Sequence, residues 1–292
     1  MKNILIVGSN GLLGKSLSFQ LSKNYTVFGI SREKINVNEK SDDIIIHLRK
    51  DLSSFNFNLF PENIDVLYYL AQSNKFRDFP DGVSDMLKVN IQAPLRIADW
   101  AVKKGVKKFI YASSGGVYRK PDKPVKEFFD INANERNGFY LDSKLSAEIL
   151  LKNFANMFET FIIARPFFIY GKKQKKHMLI PRLITNIKES RGIVLSSQDG
   201  IKINPIHVED AAKVFSNMIN LKGEFIINVA GKEVFSLREI SEIIGEKLNT
   251  SPKFEIKKSL QNDLIADISL MTDKLYTPKI SFKSGLNDLT SF

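Results

Sequence analysis

Apolar residues along the chain follow two rhythms. Short runs rich in β-branched residues occur at Ile4–Val7, Thr26–Ile30, Ile44–His47, Val66–Leu70, Lys108–Ala112 and Thr160–Ala164. Between them lie longer stretches in which apolar positions recur every three or four residues, among them Leu12–Ser22, Asp85–Lys103 and Tyr140–Met157. Continuous apolar runs of that length predict strands buried on both faces, and the longer stretches predict amphipathic helices. Strands that alternate with helices pair in parallel through right-handed crossovers. The expected fold is therefore α/β, a doubly wound parallel Rossmann sheet whose ligands sit at the carboxyl ends of its strands.

The alternation weakens after Gly171. There a basic run, "KKQKK", leads into the amphipathic "HMLIPRLITNIKES", followed by one more strand pattern in "FIINVA" and one more helix pattern in "SLREISEIIGEKL". The chain thus divides into a nucleotide-binding part, 1–171, and a mainly substrate-binding part, 172–292. The chain is expected to re-enter the first part around 204–229. Its 292 residues suit one large domain with a smaller appendage.

Composition narrows the chemistry. Without cysteine, disulfides, thiol catalysis and cysteine-ligated metal are excluded. Three histidines make any metal site improbable. The apolar run in "MKNILIV" stops after four residues, too short for a signal peptide, and no segment approaches a membrane span. A cytoplasmic protein without membrane contact is expected. The formal charge of +11 favours an anionic partner, or simply a lysine-rich surface. A nucleic acid is not expected, because no basic block carries interleaved aromatics on the scale such binding prefers.

"GSNGLLG" follows the first strand pattern and opens the first helix pattern. Gly8, Gly11 and Gly14 permit a tight turn, close approach of backbone to a pyrophosphate, and close packing of the helix whose first amides face the anion. Asn10, Leu12 and Leu13 complete that loop. The second strand should end beside the adenosine ribose, where an acidic residue suits NAD and an Arg suits the 2′-phosphate of NADP. Ser31 and Arg32 stand there, so NADP is preferred over NAD, with Glu33 within reach of a ribose. Asp51 and Leu52 follow the third strand, where the carboxylate can accept from an adenine amino group.

Tyr140 and Lys144 are four residues apart and share a helix face, an arrangement in which the ammonium lowers the phenol pKa. Taken with "KDL", "VLYYLAQ", "KVNIQAP", "YASSGGVY", "YLDSK", "ARPFFIYG", "NPIHVEDAA" and "FIINVAG", the chain resembles the extended short-chain dehydrogenase/reductase family over nearly its whole length. That family includes nucleotide-sugar epimerases, dehydratases and ketoreductases. The resemblance implies that Ser114 hydrogen-bonds the substrate oxygen, that Tyr140 exchanges its proton, and that Lys144 binds the nicotinamide ribose. It places Leu70, Ala71, Gln72 and Pro166 beside the cofactor, gives Asn90 and His207 structural positions, and implies a homodimer through the helices around 85–103 and 140–157.

The same resemblance bears on the reaction. Dehydratases of the family carry an Asp-Glu pair after the Ser position, where this chain has Gly115 and Gly116. Enzymes resembling fucose synthases use a Cys and a His, and Gly116 replaces the Cys, leaving His177 as a substrate contact. Simple hydride transfer at one carbon of a nucleotide-linked sugar remains. A 4-ketoreductase is favoured on account of Arg32; the alternatives are a 4-epimerase with bound NAD and, more distantly, a non-catalytic NADP sensor. Phe168 stands where the family has a sugar-binding Asn, and an Arg expected shortly before "IHV" is missing. Cations at Lys172, Lys173, Lys175, Lys176, Arg182 and Lys202 can take over a diphosphate, Arg182 first among them. With Ser114, Gly115, Phe168 and His177, Arg182 and Lys202 form the expected substrate set.

Overall fold

The structure is a computed structural model that describes residues 1–32, 45–49, 60–118, 123–132, 134–259 and 263–290. Its strands are β1 (Asn3–Val7), β2 (Thr26–Ser31), β3 (Ile45–Arg49), β4 (Val66–Tyr69), β5 (Lys108–Ala112) and β6 (Thr160–Pro166). Four short strands follow, β7 (Ile169–Tyr170), β8 (Gly192–Leu195), β9 (Lys202–Ile203) and β10 (Ile206–His207), before β11 (Gly223–Val229), β12 (Phe235–Ser236) and β13 (Lys253–Ile256). Seven of these form one sheet in the order β11-β6-β5-β4-β1-β2-β3, every neighbouring pair parallel. The order reverses beside β1, which places a crevice at the carboxyl ends of β1 and β4.

The period of two along each strand explains why the runs are apolar without interruption. Ile4 and Ile6 of β1 enter one core with Tyr68, Ile110 and Ile162. Leu5 and Val7 enter a second core on the opposite face with Leu67, Phe109 and Phe161. Helices cover both faces. The first core takes α1 (Leu12–Ser22) through Leu17 and Leu21, and α6 (Val208–Asn217) through Ala211, Val214 and Phe215.

The second core takes α3 (Ala93–Lys103), which continues from α2 (Val83–Met86) through a π-helical turn at Leu87–Gln92, and α4 (Phe139–Leu151). The helix expected over Tyr140–Met157 ends its α turns at Leu151 and finishes as a 3₁₀ segment, Lys152–Met157.

The remaining elements build a third core from α5 (Leu179–Lys188), α7 (Leu237–Leu248) and the β8·β13 ladder. The α7 helix starts at a reciprocal cap. Ser236 Oγ accepts from Glu239 N–H at 3.1 Å, and Glu239 Oε2 accepts from Ser236 N–H at 2.6 Å. Three short helices close the chain, α8 (Ser269–Lys274), α9 (Phe282–Gly285) and α10 (Asn287–Thr290). No helix of the described residues is long and apolar enough to cross a membrane.

One buried charge pair ties α4 to β6. Arg165 Nη2 and Nε donate to Glu148 Oε2 and Oε1 at 2.6 and 3.1 Å, and both side chains are almost wholly buried. The guanidinium also lies 4.6 Å from the centre of the Tyr118 ring. Two parallel hydrogen bonds between opposite charges hold the pair in one geometry, whereas removing one partner strands the other in a low dielectric. Glu148→Leu should therefore cost roughly 3–5 kcal/mol in denaturant unfolding, and adding Arg165→Met should recover a large part of that loss.

Candidate functional site

The site forms where β1, β4 and β5 end. β1 runs into the glycine loop, and Gly8 N–H donates to Ile30 O at 2.8 Å, turning the chain across the end of β2. Gly8 has φ +93°, and a Cβ there would fall 2.7 Å from Ala71 N, so the position requires glycine twice over. At Gly14 a Cβ would run into Gly8 O and stand 2.8 Å from Ser9 Cα, which is how α1 seats directly on the loop. Gly11 is the N-cap of α1, and no acidic residue lies in the first turn. A loop with no room for side chains at Gly8 and Gly14, open to the uncapped amides of a helix, fits a dinucleotide pyrophosphate.

β4 ends at Tyr69 and the chain continues through Leu70, Ala71, Gln72 and Ser73. Leu70 N–H donates to Val7 O at 2.8 Å. The next three residues are each held by α4 or its neighbour. Lys144 Nζ donates to Ala71 O at 3.5 Å and to Ala112 O at 3.0 Å. Tyr140 Oη donates to Gln72 Oε1 at 2.9 Å. Ser73 N–H donates to Asn90 Oδ1 at 3.0 Å, Asn90 Nδ2 donates to Ser143 Oγ at 3.0 Å, and Ser143 Oγ donates to Tyr140 O at 2.6 Å. Asn90 is wholly buried in these contacts.

Ser114 follows β5 and caps the turn Gly115–Val117, its Oγ accepting from Gly116 N–H at 3.2 Å. Its hydroxyl also draws the Tyr140 phenol downward. Ser114, Tyr140 and Lys144 are thus gathered with Gln72 and Ala71 at the carboxyl ends of β4 and β5.

Burial sets the electrostatics here. It pushes the Tyr140 phenol up to about 12, opposed only by the Ser114 hydroxyl. Burial also pulls Lys144 down to about 7 against the upward pull of Glu148. The spacing of Tyr140 and Lys144 leads one to expect a phenol lowered by its neighbouring ammonium. The structure differs because the ammonium turns to the two carbonyls, and desolvation governs both groups.

The other expected residues are dispersed. Ser31 and Arg32 stand at the end of β2, Arg32 exposed. Glu33, Asp51 and Leu52 lie outside the described residues. Asn10, Leu12 and Leu13 are half-buried around the glycine loop, and Pro166 ends β6 in register with Val229. Phe168 takes a positive φ of 35° and packs between the third core and a small cluster around Tyr118 and Phe167.

His177 is exposed, its ring centre 6.2 Å from that of Phe76, which itself lies 5.2 Å from the Tyr140 ring. Arg182 is exposed on α5 and Lys202 on β9, and neither has a contact with Ser114, Tyr140 or Lys144 among the described residues. His207 caps α6, accepting from Glu209 N–H at 3.4 Å. No group of three or more metal-binding side chains occurs among the described residues.

Sequence reasoning missed the wall across the mouth of the site. Phe76 covers Tyr140, Arg77 Nη1 donates to His177 O at 2.8 Å, and Lys175 Nζ donates to Asn74 Oδ1 at 3.0 Å. The two loops meet across about a hundred residues of sequence, and no local signal marks the pairing.

Comparison with known proteins places this geometry. Residues 4–230 match the family model described as the NAD dependent epimerase/dehydratase family. An uncharacterised UDP-glucose epimerase of Bacillus subtilis (strain 168) is 24% identical over 307 residues, which span 98% of this chain and 96% of that protein. In fold, the chain resembles the UDP-glucuronic acid 4-epimerase of Bacillus cereus in complex with UDP-glucuronic acid and NAD. The TM-score is 0.84 at 24% identity, over 99% of this chain and 98% of that one. It equally resembles the UDP-N-acetylglucosamine 4-epimerase of Methanobrevibacter ruminantium M1 in complex with UDP-N-acetylmuramic acid, with a TM-score of 0.86 at 22% identity, covering 99% and 97%. With its glycine cradle, its Ser-Tyr-Lys group and a family match across most of its length, this chain belongs to the NAD-dependent epimerase/dehydratase family of extended short-chain dehydrogenases/reductases.

Proposed function

We propose that the chain is a nucleotide-sugar 4-epimerase that retains NAD. The observation that supports this reading is that Ser114 is followed by Gly115 and Gly116, so no second acid or base stands beside it and Tyr140 is left to exchange the proton. A Cβ on Gly115 would fall 2.5 Å from Phe167 Cγ, and one on Gly116 would fall 2.8 Å from Leu141 Cδ2. The acid and base that dehydration or inversion beside a ketone requires therefore have no side chains at these positions, and at Gly115 no space either. The names of the relatives, 4-epimerases of UDP-sugars with NAD bound in one, support the same choice.

In this reading Gly8, Asn10, Gly11, Leu12, Leu13 and Gly14 hold the pyrophosphate, and Ser31 and Arg32 face the adenosine ribose. Leu70, Ala71 and Pro166 line the nicotinamide end. NAD, when bound, supplies hydride exchange at the substrate carbon. Ser114 holds the substrate oxygen, and Tyr140, once its own proton has passed to solvent, removes the proton of the sugar hydroxyl as a phenolate and returns it. Because one phenol serves both configurations, the keto sugar has to turn over between the two half-reactions. Lys144 fixes the backbone behind the phenol and offers its ammonium to the ribose. Gly115, Phe168 and His177, with Arg182 and Lys202 on the 172–292 side, form the sugar and diphosphate side of the site.

The reading includes a homodimer, for which the exposed Ile149 and Leu150 on α4 speak, and a cytosolic location. Arg32 favours a second reading, an NADPH-dependent 4-ketoreductase, since a guanidinium suits a 2′-phosphate.

Incubation with a panel of UDP-sugars and 4-keto sugars separates the two. Sugar interconversion without net change in reduced cofactor is expected; stoichiometric oxidation of NADPH would establish the reductase instead. Tyr140→Phe should lower turnover roughly 100- to 10,000-fold while leaving NAD affinity within about threefold.

Lys144 gives a pH signature independent of substrate. Its folded value near 7 lies below the usual 10.5, so between these values the unfolded chain binds the extra proton. In the cofactor-free protein, wild type should gain stability relative to Lys144→Met as pH rises from 7 towards 10, measured by guanidinium unfolding. Parallel curves would remove the buried-lysine argument.

A further inference from the structure

We propose that Gln72 is a positioning residue for proton transfer, its amide oxygen holding the Tyr140 hydroxyl protonated and aimed until a substrate oxygen displaces it. The inference rests on the acid–base role of Tyr140 argued above. Gln72 is exposed, and an exposed glutamine ordinarily samples many rotamers. Here its backbone is not free to wander. Ala71 before it is gripped by Lys144 Nζ, and Ser73 after it is wholly buried, bonded through its N–H to Asn90 and through its Oγ to Asp85. The Gln72 side chain therefore leaves a fixed stem and reaches Tyr140 Oη at 2.9 Å.

The chemistry of that contact is one-sided. In the arrangement observed the amide oxygen accepts from the neutral phenol, and only a turn of the amide would bring its Nε2–H to a phenolate, so the observed bond favours the protonated form. The Ser114 hydroxyl acts in the opposite direction, drawing the phenol downward. Tyr140 Oη thus stands between one neighbour that keeps its proton and one that eases the proton away. When a sugar hydroxyl enters, the phenol exchanges the Gln72 bond for one to the substrate. The amide then turns to solvent; acting as acid the phenol gives its proton to the substrate oxygen, and acting as base it first releases that proton to solvent.

The test reads ionisation directly and needs no turnover. Fluorinated tyrosine at position 140 brings its titration into the range where the protein is stable, and phenolate absorbance is followed in the cofactor-free protein. Gln72→Met, similar in size but without the acceptor, should lower the midpoint by about half a pH unit or more, and Gln72→Glu should raise it by a similar amount. An unchanged or higher midpoint in the methionine variant overturns the proposal.

A purely structural Gln72 would change unfolding and leave the midpoint in place, which also counts against it. With a sugar substrate, Gln72→Glu should move the acidic limb of kcat/KM, which reports the enzyme before the sugar binds, to higher pH; an unmoved limb overturns the catalytic half of the proposal. If the chain proves to be a reductase, the titration still answers, so the two readings fail separately.

Discussion

The site depends on how one short segment, Ala71 to Ser73, is fastened to the helix beside it. Three consecutive residues are bound in three ways: by an ammonium to a carbonyl, by a phenol to an amide, and by a backbone N–H to a buried asparagine. Ala71 is also what Gly8 packs against so tightly that no side chain fits between them. The cofactor loop, the end of β4 and the face of α4 carrying Tyr140 and Lys144 are therefore one rigid junction. Parallel strands supply no such junction, since their ladder bonds run along the sheet and leave the carboxyl ends open.

The junction also explains how α4 tolerates charge in its buried face. Tyr140, Lys144 and Glu148 follow one another at four-residue intervals, a single stripe against the sheet. Lys144 would be a costly buried cation by itself. Glu148, one turn further on, raises its affinity for a proton and is itself held by Arg165 from β6. Arg165 lies in turn on the Tyr118 ring, and Tyr118 Oη donates to Asn228 Oδ1 at 2.9 Å on β11. Lys144 is thus tied through Glu148 to β6 and on to β11 at the sheet edge.

Much of this was legible in the sequence because it is local. Uninterrupted apolar runs announced strands buried on both faces, and the glycine spacing announced a loop with no room for side chains at Gly8 and Gly14. Tyr140 and Lys144 were legible as a pair on one helical face. What they do to each other was not, because the direction of the Lys144 side chain depends on the carbonyls of Ala71 and Ala112, distant in sequence. The same holds for Gln72, which a carry-over from the family could place beside the cofactor and no spacing could place against Tyr140. The Arg165–Glu148 pair and the meeting of Arg77 with His177 were illegible for the same reason. Each joins residues whose separation in sequence carries no period.

The contrast between the two ends of the site follows from these contacts. The end that handles the proton is built from strand termini and one helix, with Asn90, Lys144 and Glu148 all buried. The end that the proposed function gives to the rest of the substrate is built from exposed loops around Asn74–Arg77 and Lys172–His177, joined by a lysine–asparagine bond and an arginine–carbonyl bond at the surface. Exposed contacts of this kind are worth little individually and are readily exchanged for contacts to a ligand. Hydride transfer at a fixed carbon requires the first end to be invariant in shape. Under the proposed function, recognition of a particular sugar and diphosphate requires only that the second end present cations and an aromatic wall, so substrate choice can change there without disturbing the junction that holds Tyr140.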